Sequence, residues 1–418
     1  MNVRRRSAAA LAAIAVIGAA APAVAADPSP SPSALAKADG TAGLYGTSDP
    51  TYDGVWRQSL ALLAQDAVGV EPPAQAVGWL TRQQCADGAF APFRADTAKP
   101  CDAKTAVDTN STAAAVQALA ALGGHDAATG KALTWLKSVQ NKDGGWGYTP
   151  GGPSDANSTS VVIGALTAAG EKPEQVTKGG KSPYDALLAF ALPCEGDGKG
   201  AFAFQPDEKG KLSANADATA AGVLGALGKG LVTGPGKAAD AECAGSGKPT
   251  RQEAAAGGAA YLSQAVAKTG HLTSALAGAA DQPDYGNTAD AVVALAAQGG
   301  AERAAKPLRW LEENAATWAK QSGPAAWAQL ILAAHATGTD PRAFGGTDLV
   351  ARLQATGPDV PTASVTVSAT TASGDEEKDK EKKEEDGGLG VWWFVGVCLV
   401  AGIGIGFLFS GRNRKQQP

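Results

Sequence analysis

Apolar residues in the central part of the chain recur at helical spacing and are separated by glycine-rich turns. In the clearest stretch, Leu133, Leu136 and Val139 follow one another at the three-residue intervals of one helix face. The residues Asp-Gly-Gly at 143–145 then end that helix, because glycine readily adopts the positive φ of a helix end. A second apolar helix follows at 161–166. The pattern predicts a unit of helix, tight turn and helix.

This unit recurs along the chain. An earlier copy contains Asn110, which lies 47 residues before Asn157 in the clearest copy. A repeat of two helices at such a period is typical of a solenoid or of a closed ring of helical hairpins. Six hairpins can be laid out, and this favours an all-α, closed (α/α)6 toroid over an open solenoid.

The two helices of each hairpin have different predicted places in the ring. The first helices are predicted to line it, at about residues 54–68, 110–122, 157–169, 216–229, 287–298 and 324–337. The second helices are predicted to form the outer wall, at about residues 74–84, 129–140, 183–192, 252–267, 303–317 and 346–355.

The ends of the outer helices resemble the repeat of the squalene-cyclase and prenyltransferase family. That repeat has an outer helix ending in Trp-Leu-x-x-x-Gln, followed by a Gly-x-Trp turn. Residues 135–146 match it, and residues 79–90 match it with Phe90 in place of the tryptophan. The resemblance covers roughly residues 45–357 and implies the α/α toroid fold. The family includes triterpene cyclases, prenyltransferase β subunits, complement thioester domains and transcobalamin-type carriers, so the resemblance leaves the activity open.

The two ends of the chain predict export and a membrane anchor. Three arginines at 4–6 precede a short apolar run, and Ala23-Val24-Ala25 offers a signal-peptide cleavage site of small residues. Residues 389–409 are 21 residues without charge, enough to span a bilayer as one helix. Arginine and lysine follow this run, so we expect the tail to stay in the cytoplasm. The protein is therefore predicted to be a single-pass membrane protein whose N-terminal domain is extracellular.

A charged spacer separates the predicted ring from the predicted span. Residues 375–386 are twelve charged residues, eight acidic and four lysines, which is typical of a solvated segment. The predicted organisation is a signal peptide at 1–26, a Pro/Ser-rich spacer at 27–44, the toroid at 45–357, a stalk at 358–388, the transmembrane helix at 389–409 and a tail at 410–418.

Composition narrows the class of partner. The chain carries a formal net charge of −5 and only 6% aromatic residues, and no basic stripe is present in the sequence. This argues against nucleic acid as a partner. The alanine- and glycine-rich usage, with a single methionine, resembles that of high-GC actinobacteria.

Four of the five cysteines lie in the part predicted to be exported, where disulfides form. Cys85 and Cys101 are close in sequence and on the same predicted rim, so we predict a disulfide between them. Cys194 and Cys243 are assigned to a second disulfide by elimination. The fifth cysteine, Cys398, lies in the predicted span.

The predicted inner helices all run in one direction, so their N-termini and the longest loops gather at one rim. That rim combines positive helix ends, polar cap-type residues and aromatic rings, and loops on a rigid scaffold commonly carry function. The caps are predicted to be Asp53, Asp108 with Asn110, Asp155 with Asn157, Asn215 with Asp217, and Asn287 with Asp290. The predicted ligand-binding residues are Tyr52, Asp53, Trp56, Asp108, Asn110, Asp155, Asn157, Tyr285, Asn287 and Trp327. The simpler interpretation is that each polar residue only caps its own helix.

The signature residues of the related enzymes are missing from the sequence. It contains no Asp-x-Asp-Asp acid motif, no Asp-Asp-x-x-Asp motif and no Cys-Gly-Glu-Gln thioester. A prenyltransferase-like zinc site would need Asp240 and Cys243 with His271 or His335, and a disulfide would consume Cys243. We therefore predict no catalytic residue and no metal site.

These observations favour a cell-surface, ligand-binding toroid. Resemblance to the transcobalamin-type carriers implies a corrinoid or a similar large cofactor as ligand, passed to an uptake transporter. One alternative is an extracellular enzyme that cleaves polysaccharide with Asp108 and Asp155, and another is a cyclase- or prenyltransferase-like enzyme. A structural or adhesive surface module is the remaining alternative.

Truncation after Gly374 should release a folded ring into the medium, because it removes the charged segment and the predicted span but leaves the toroid. Cell fractionation followed by immunoblotting measures this, with the full-length chain as the membrane-bound control. A truncated protein that stayed in the membrane fraction would show that residues 389–409 are not the anchor.

Overall fold

The computed structural model of the protein describes residues 40–243, 245, 247–275 and 281–358, all within the compact unit that starts at Asp39. The predicted signal peptide, the stalk beyond residue 358, the predicted span at 389–409 and Cys398 lie outside the described residues. Among the helices of the described residues, none is both long and apolar enough to cross a membrane.

Twelve α-helices, in six consecutive pairs, make up the described unit. The first helices of the pairs are α1 (Gly54–Ala67), α3 (Thr109–Leu122), α5 (Ala156–Ala168), α7 (Ala216–Ala226), α9 (Tyr285–Gly299) and α11 (Pro324–Thr337). The second helices are α2 (Ala74–Arg82), α4 (Asp126–Ser138), α6 (Pro183–Leu188), α8 (Arg251–Val266), α10 (Ala301–Ser322) and α12 (Leu349–Gln354). The predicted ranges agree with these to within a few residues at most ends, and α10 runs furthest beyond its prediction, to Ser322.

The six first helices form a closed ring. Each packs against the next one along the chain, and α11 packs against α1 to complete the circle. Each second helix packs against the first helix of its own pair. The apolar core fills the space between the helices, and alanine is its commonest residue, so the helices approach closely. The predicted ring of six helical hairpins is confirmed.

The inner helices run in the same direction. Asn157, the second residue of α5, bonds with Asp217, the second residue of α7. Asp290 and Gln329, which contact each other, are the sixth residues of α9 and α11. Second residues lie at the starts of their helices, so the contact between Asn157 and Asp217 requires α5 and α7 to be parallel, and the contact between Asp290 and Gln329 agrees with the same direction for α9 and α11. We call the end of the ring formed by the first turns of α3, α5, α7, α9 and α11 the N-terminal mouth.

Two short strand pairs interrupt the otherwise helical architecture. The strand β1 (Phe202–Ala203) pairs with β2 (Ala214–Asn215), and β3 (Leu272–Thr273) pairs with β4 (Pro283–Asp284), both antiparallel. Each pair joins the loop before an inner helix to the start of that helix. The all-α prediction missed them because two residues are too few to show an alternating pattern.

An Asp or Asn side chain caps the start of four inner helices. Its Oδ1 accepts a hydrogen bond from the backbone N–H three residues later, which would otherwise lack a partner. The bonds are Ser111 N to Asp108 at 2.6 Å, Ser158 N to Asp155 at 2.6 Å, Ala218 N to Asn215 at 2.8 Å and Asn287 N to Asp284 at 3.0 Å.

A threonine four residues after each of these caps holds the preceding loop. Its Oγ1 accepts the backbone N–H of a buried apolar residue: Phe90 to Thr112 at 3.0 Å, Trp146 to Thr159 at 3.1 Å, Phe202 to Thr219 at 2.9 Å and Leu272 to Thr288 at 3.0 Å. Cap and threonine together form a pattern, Asx-x-x-x-Thr, that repeats around the ring. We call this pattern the cap–threonine clamp.

The glutamine at the end of the outer helix has a similar role in the turn that follows. Gln140 Nε2 donates to the carbonyls of Gly144 at 2.8 Å and Val176 at 3.1 Å. Gln84 makes the matching bond to Gly88 at 3.1 Å. The Trp-Leu-x-x-x-Gln pattern therefore has a structural reason, because its glutamine pairs backbone carbonyls of the turn.

Both predicted disulfides are present. Cys85 and Cys101 are bonded with their Cα atoms 5.6 Å apart, and Cys194 and Cys243 with theirs 5.2 Å apart. The second disulfide forms because the segment leading to α8 returns to the loop before β1, where Gly200 lies against Cys243.

Thr159→Val should destabilise the fold by about 1–3 kcal/mol, because the buried N–H of Trp146 would lose its acceptor while the side chain keeps its shape. Denaturant unfolding followed by tryptophan fluorescence measures this. Thr167→Val, an exposed change on the same helix, is the matched control and should stay within about 0.5 kcal/mol. Equal effects of the two changes would contradict a structural role for the clamp.

Candidate functional site

Four of the predicted ligand-binding residues lie in the first turns of α3 and α5. Asp108 and Asp155 are the caps, with 2% and 1% of their surface exposed. Asn110 and Asn157 are the second residues of these helices and are also buried. They do not cap, because the aspartates already do so.

Six of the predicted caps are corrected by the structure. Asn110, Asn157, Asp217 and Asp290 lie within their helices and do not cap them. Asn287 does not cap α9; Asp284 does, and the side chain of Asn287 donates to Asp284 Oδ2 at 2.8 Å. Asp53 precedes α1 without a side-chain capping bond, and its carboxylate lies 3.5 Å from the buried Arg57 guanidinium. At these two positions a neighbouring residue decides the pairing: Asp284 caps α9, and Arg57 pairs with Asp53.

Helix geometry explains which first-turn side chains face the mouth. Successive residues are about 100° apart around a helix, so residues two positions apart lie on nearly opposite faces. Thr112 and Thr159 face the preceding loops, so Asn110 and Asn157 point the other way, toward the mouth. Asp217 holds the same position in α7. In α9 that position is Gly286, and Asp290 occupies the same face one turn further along.

The inward-facing polar residues meet in pairs across neighbouring helices. Asn157 Nδ2 donates to Asp217 Oδ2 at 2.7 Å. Gln329 Nε2 lies 3.4 Å from each carboxylate oxygen of Asp290. The mouth therefore joins residues from α5, α7, α9 and α11 into one polar layer.

Burial changes the acidity of this layer. It raises the pKa of Asp290 to about 7, and the neighbouring charges of Asp217 and Asp284 add to the effect. Burial also raises the pKa of Asp217 to about 6, against the bond from Asn157, which lowers it. The pKa values of Asp108 and Asp155 rise to about 6 for the same main reason. These carboxyl groups therefore keep their protons to a higher pH than an exposed aspartate does.

Several buried polar atoms at the mouth have no hydrogen-bond partner among the described residues. They are Asn110 Oδ1, Asn157 Oδ1, Asp108 Oδ2 and Thr109 Oγ1. Most buried polar groups in proteins are paired, because an unpaired one costs about 1–3 kcal/mol. Other buried polar atoms without a partner, such as Gln65 Oε1 and Gln298 Oε1, are scattered over the described residues, whereas these four lie together in the first turns of α3 and α5.

The predicted aromatic residues are divided between different environments. Tyr52 is 76% exposed, Trp56 is half-buried, and Trp327 on α11 is buried. Tyr285 stacks on Trp318 of α10, with ring centroids 5.4 Å apart, and its other neighbour is Trp310, at 4.9 Å. The structure therefore gathers Tyr285 into an aromatic stack with outer-helix rings that were not predicted to accompany it.

The opposite end of the ring is covered by a segment that follows α7. Leu231 N donates to Gln117 Oε1 at 2.8 Å, and Gly236 N donates to Ala296 O at 2.9 Å. The segment thus crosses from α3 to α9. A cleft of about 410 Å³ lies beside it, lined in part by Gln117, Gly164 and Lys229. Both ends of the Gln117 amide are hydrogen-bonded, whereas Gln65 Oε1 on α1 and Gln298 Oε1 on α9 have no partner among the described residues. The larger group of unpaired atoms, in the first turns of α3 and α5, favours the N-terminal mouth as the candidate site.

The zinc alternative finds no support in the described residues. Cys243 is consumed by its disulfide. No group of three potential metal-ligating side chains occurs in the described part of the chain.

Comparisons with known proteins complete the description of the site. No family model and no curated protein matches the chain. Among solved structures it is similar to a protein from Actinoplanes, with 17% identity, a TM-score of 0.43 and coverage of 69% of this chain and 77% of that one. It is similar to ent-copalyl diphosphate synthase from Streptomyces platensis, with 16% identity and a TM-score of 0.45, covering 68% of this chain and 50% of the synthase.

A third similar structure is a type II terpene cyclase from Scytonema in complex with geranylgeranyl dihydroxybenzoate. It has 11% identity and a TM-score of 0.39, with coverage of 68% of this chain and 74% of that one. Identities this low concern the fold alone. Because the TM-scores are below 0.5, the evidence for the architecture of this chain is its own helix contacts, which are described above.

The sequence prediction of the site omitted three residues that the structure brings into it. Asp217 and Asp290 were interpreted as caps only, and Gln329 was not singled out. The signal for Asp217 was its place two residues after a cap, as in Asn110 and Asn157. Nothing local marks Asp290 or Gln329, because their pairing is set by helix packing.

Asp290→Asn should stabilise the protein by about 1–3 kcal/mol at pH 8 and change it much less at pH 4. Because burial raises the pKa of Asp290 to about 7, the folded state disfavours the ionised carboxylate, and stability is lost as the pH rises from about 4, the ordinary pKa of aspartate, to about 7; asparagine cannot ionise. Denaturant unfolding across pH 4–8 measures the difference. Asp66→Asn, an exposed change on α1, is the control and should show no such pH dependence. A stability gain that did not grow with pH would refute the raised pKa.

Proposed function

We propose that the protein is a ligand-binding α/α toroid that takes a small organic molecule at its N-terminal mouth. The observation that carries this is the buried, unpaired side-chain oxygen of Asn157 beside the carboxylate of Asp217. A preformed polar group of this kind loses its energetic penalty when a ligand supplies the missing hydrogen bond.

The scaffold suits binding because it holds the polar groups in place. The cap–threonine clamps fix the first turns of α3, α5, α7 and α9 against buried loop residues. The segment across the opposite end leaves the N-terminal mouth as the polar end of the ring. Pre-organised groups bind more tightly because less freedom is lost on binding.

The sequence also suggests a more specific ligand, cellular location and partner. We propose an exported protein anchored in the cell membrane by the predicted span at 389–409, which captures its ligand outside the cell. A corrinoid delivered to an uptake transporter is the ligand that the transcobalamin-type resemblance suggests. The acidic mouth does not by itself favour a corrinoid over another organic molecule.

Acid catalysis is the second candidate function, and Asp290 is the observation that favours it. A carboxyl group with a pKa near 7 can donate a proton at neutral pH. A terpenoid-cyclase-like reaction would use such a group, and two of the similar structures carry that kind of name. Incubation with geranylgeranyl diphosphate and mass analysis of the products would reveal it, and Asp290→Asn should abolish it.

The polysaccharide alternative is weakened by the place of its two carboxylates. Asp155 accepts from Ser158 through both oxygens, at 2.6 and 2.8 Å. Asp108 caps α3 in the same way through one oxygen. An acid whose oxygens hold a helix start is poorly placed to attack or protonate a sugar.

Native mass spectrometry of the full-length protein, isolated from its source cells, should show a bound small molecule that denaturation releases. In Asn157→Leu the fraction of protein that carries the bound molecule should fall at least about tenfold, because the change removes the amide from the mouth. Thr167→Val should keep it. If no preparation held a bound molecule and the protein converted geranylgeranyl diphosphate into products, catalysis would be favoured over ligand binding as the function.

Titration with cyanocobalamin tests the corrinoid separately. Binding should shift its visible spectrum in a one-to-one titration, and Trp56→Ala or Tyr285→Ala should weaken it by about 1–3 kcal/mol if these rings are anchors. Arg309→Ala, on the outer helix α10, is the control. An unchanged spectrum would show that the ligand is not a corrinoid, and the proposed binding site would then serve another ligand.

A further inference from the structure

We infer that the ligand of the N-terminal mouth carries a protonated amine, whose ammonium group binds among Asn157, Asp217 and Asp290. This inference rests on the proposed function and names the chemical class of the ligand. It follows from the kind of atoms that the mouth presents and from the charges around them.

The free atoms in this part of the mouth are hydrogen-bond acceptors. Asn157 uses its Nδ2 on Asp217 Oδ2, which leaves its buried Oδ1 as an acceptor without a partner among the described residues. The two carboxylates, when ionised, are acceptors only. An ammonium group has three donors and no acceptor, so it complements an amide oxygen and two carboxylates.

The charges in the mouth also favour a cation. Asp284, Asp217 and Asp290 act on one another as like charges, and no lysine, arginine or histidine of the described residues offsets them. The nearest buried cation at this end of the ring, Arg57, is engaged with Asp53 and Ser48. Burial is the main reason why the pKa values of Asp217 and Asp290 are raised, and the like charges add to it. A bound cation would offset that repulsion and favour the ionised carboxylates.

An organic cation fits better than a metal ion. No set of three potential metal-ligating side chains exists among the described residues, whereas Asn157 and Gln329 contribute neutral amides. Divalent metal ions prefer six or more oxygen ligands or a closed set of nitrogen and sulfur ligands. A directional N–H donor needs only the few acceptors present here.

Binding of an amine should strengthen as the pH rises from 5 to 8. Asp217, Asp284 and Asp290 are the titratable groups that face this site. Burial raises the pKa of Asp217 to about 6 and that of Asp290 to about 7, so these two lose their protons over this range, and burial also raises the pKa of Asp284. An alkylamine stays protonated, because its pKa is near 10. The charge on the site therefore grows while that on the ligand is constant.

Isothermal titration of the full-length protein with cadaverine, at pH 5 and pH 8, tests the inference. We expect one-to-one binding that is at least about tenfold tighter at pH 8, and no binding of pentane-1,5-diol, which has the same length without charge. Tetramethylammonium, a cation without N–H donors, should bind at least about tenfold more weakly than cadaverine.

Three variants separate binding from folding. Asp217→Asn, Asp290→Asn and Asn157→Leu should each weaken cadaverine binding at least about tenfold at pH 8. Asp290→Asn should do so while making the protein more stable, which a structural role would not produce. Asp66→Asn, exposed on α1, should bind as the unaltered protein does.

Each outcome decides a different point. Three results would each show that the ligand is not an amine: equal binding of the diol and the amine, unchanged binding in the three variants, or no binding of cadaverine at pH 8. A molecule without an amine found in the native protein would overturn the inference and leave the proposed function standing. Absence of any bound molecule would overturn the proposed function itself.

Discussion

The first turns of the inner helices lie inside the protein, where their backbone N–H groups have little water to bind. The cap–threonine clamp answers this constraint, and the rest of the ring depends on it. The cap pairs an N–H of the helix itself, and the threonine pairs an N–H of the loop that carries Phe90, Trp146, Phe202 or Leu272. One short pattern thus starts a helix, seals a loop and positions a large apolar side chain in the core between neighbouring hairpins.

The clamp also determines what the mouth of the ring contains. With the threonine facing the loop, the residue two positions before it must face the mouth, because the two lie on nearly opposite sides of the helix. That residue is Asn110, Asn157 or Asp217 in successive repeats, and Gly286 in the fourth. Where the repeat has glycine, Asp290 takes over one turn further along, with Gln329 from α11 beside it. A structural repeat has therefore produced a layer of polar groups at one end of the ring.

The carboxyl groups of this polar layer lower the stability of the folded state. Carboxyl groups held in a partly buried, like-charged cluster weaken the folded state once they ionise, and a chain selected for stability alone would carry amides or apolar residues there. Close packing elsewhere compensates: at Gly222 and Gly258 an added Cβ would lie 2.6 Å from the Phe202 ring and from Val223, so the helices there approach as closely as glycine allows. The acidic mouth stands apart from a core built mainly from alanine and other apolar residues.

The sequence by itself determined the ring, its twelve helices and both disulfides, because helix periodicity, glycine ends and cap residues are local and repeat. The sequence also singled out Asn110 and Asn157 because their position in the repeat recurs, although the structure shows that Asp108 and Asp155 do the capping. Only the tertiary structure decided that Asp284 rather than Asn287 caps α9, that Asp53 is paired with Arg57, and that Asp217, Asp290 and Gln329 share the mouth. Which acid meets which amide depends on how neighbouring helices are set against each other. That arrangement arises from side-chain packing over the whole ring, which no local pattern in the chain records.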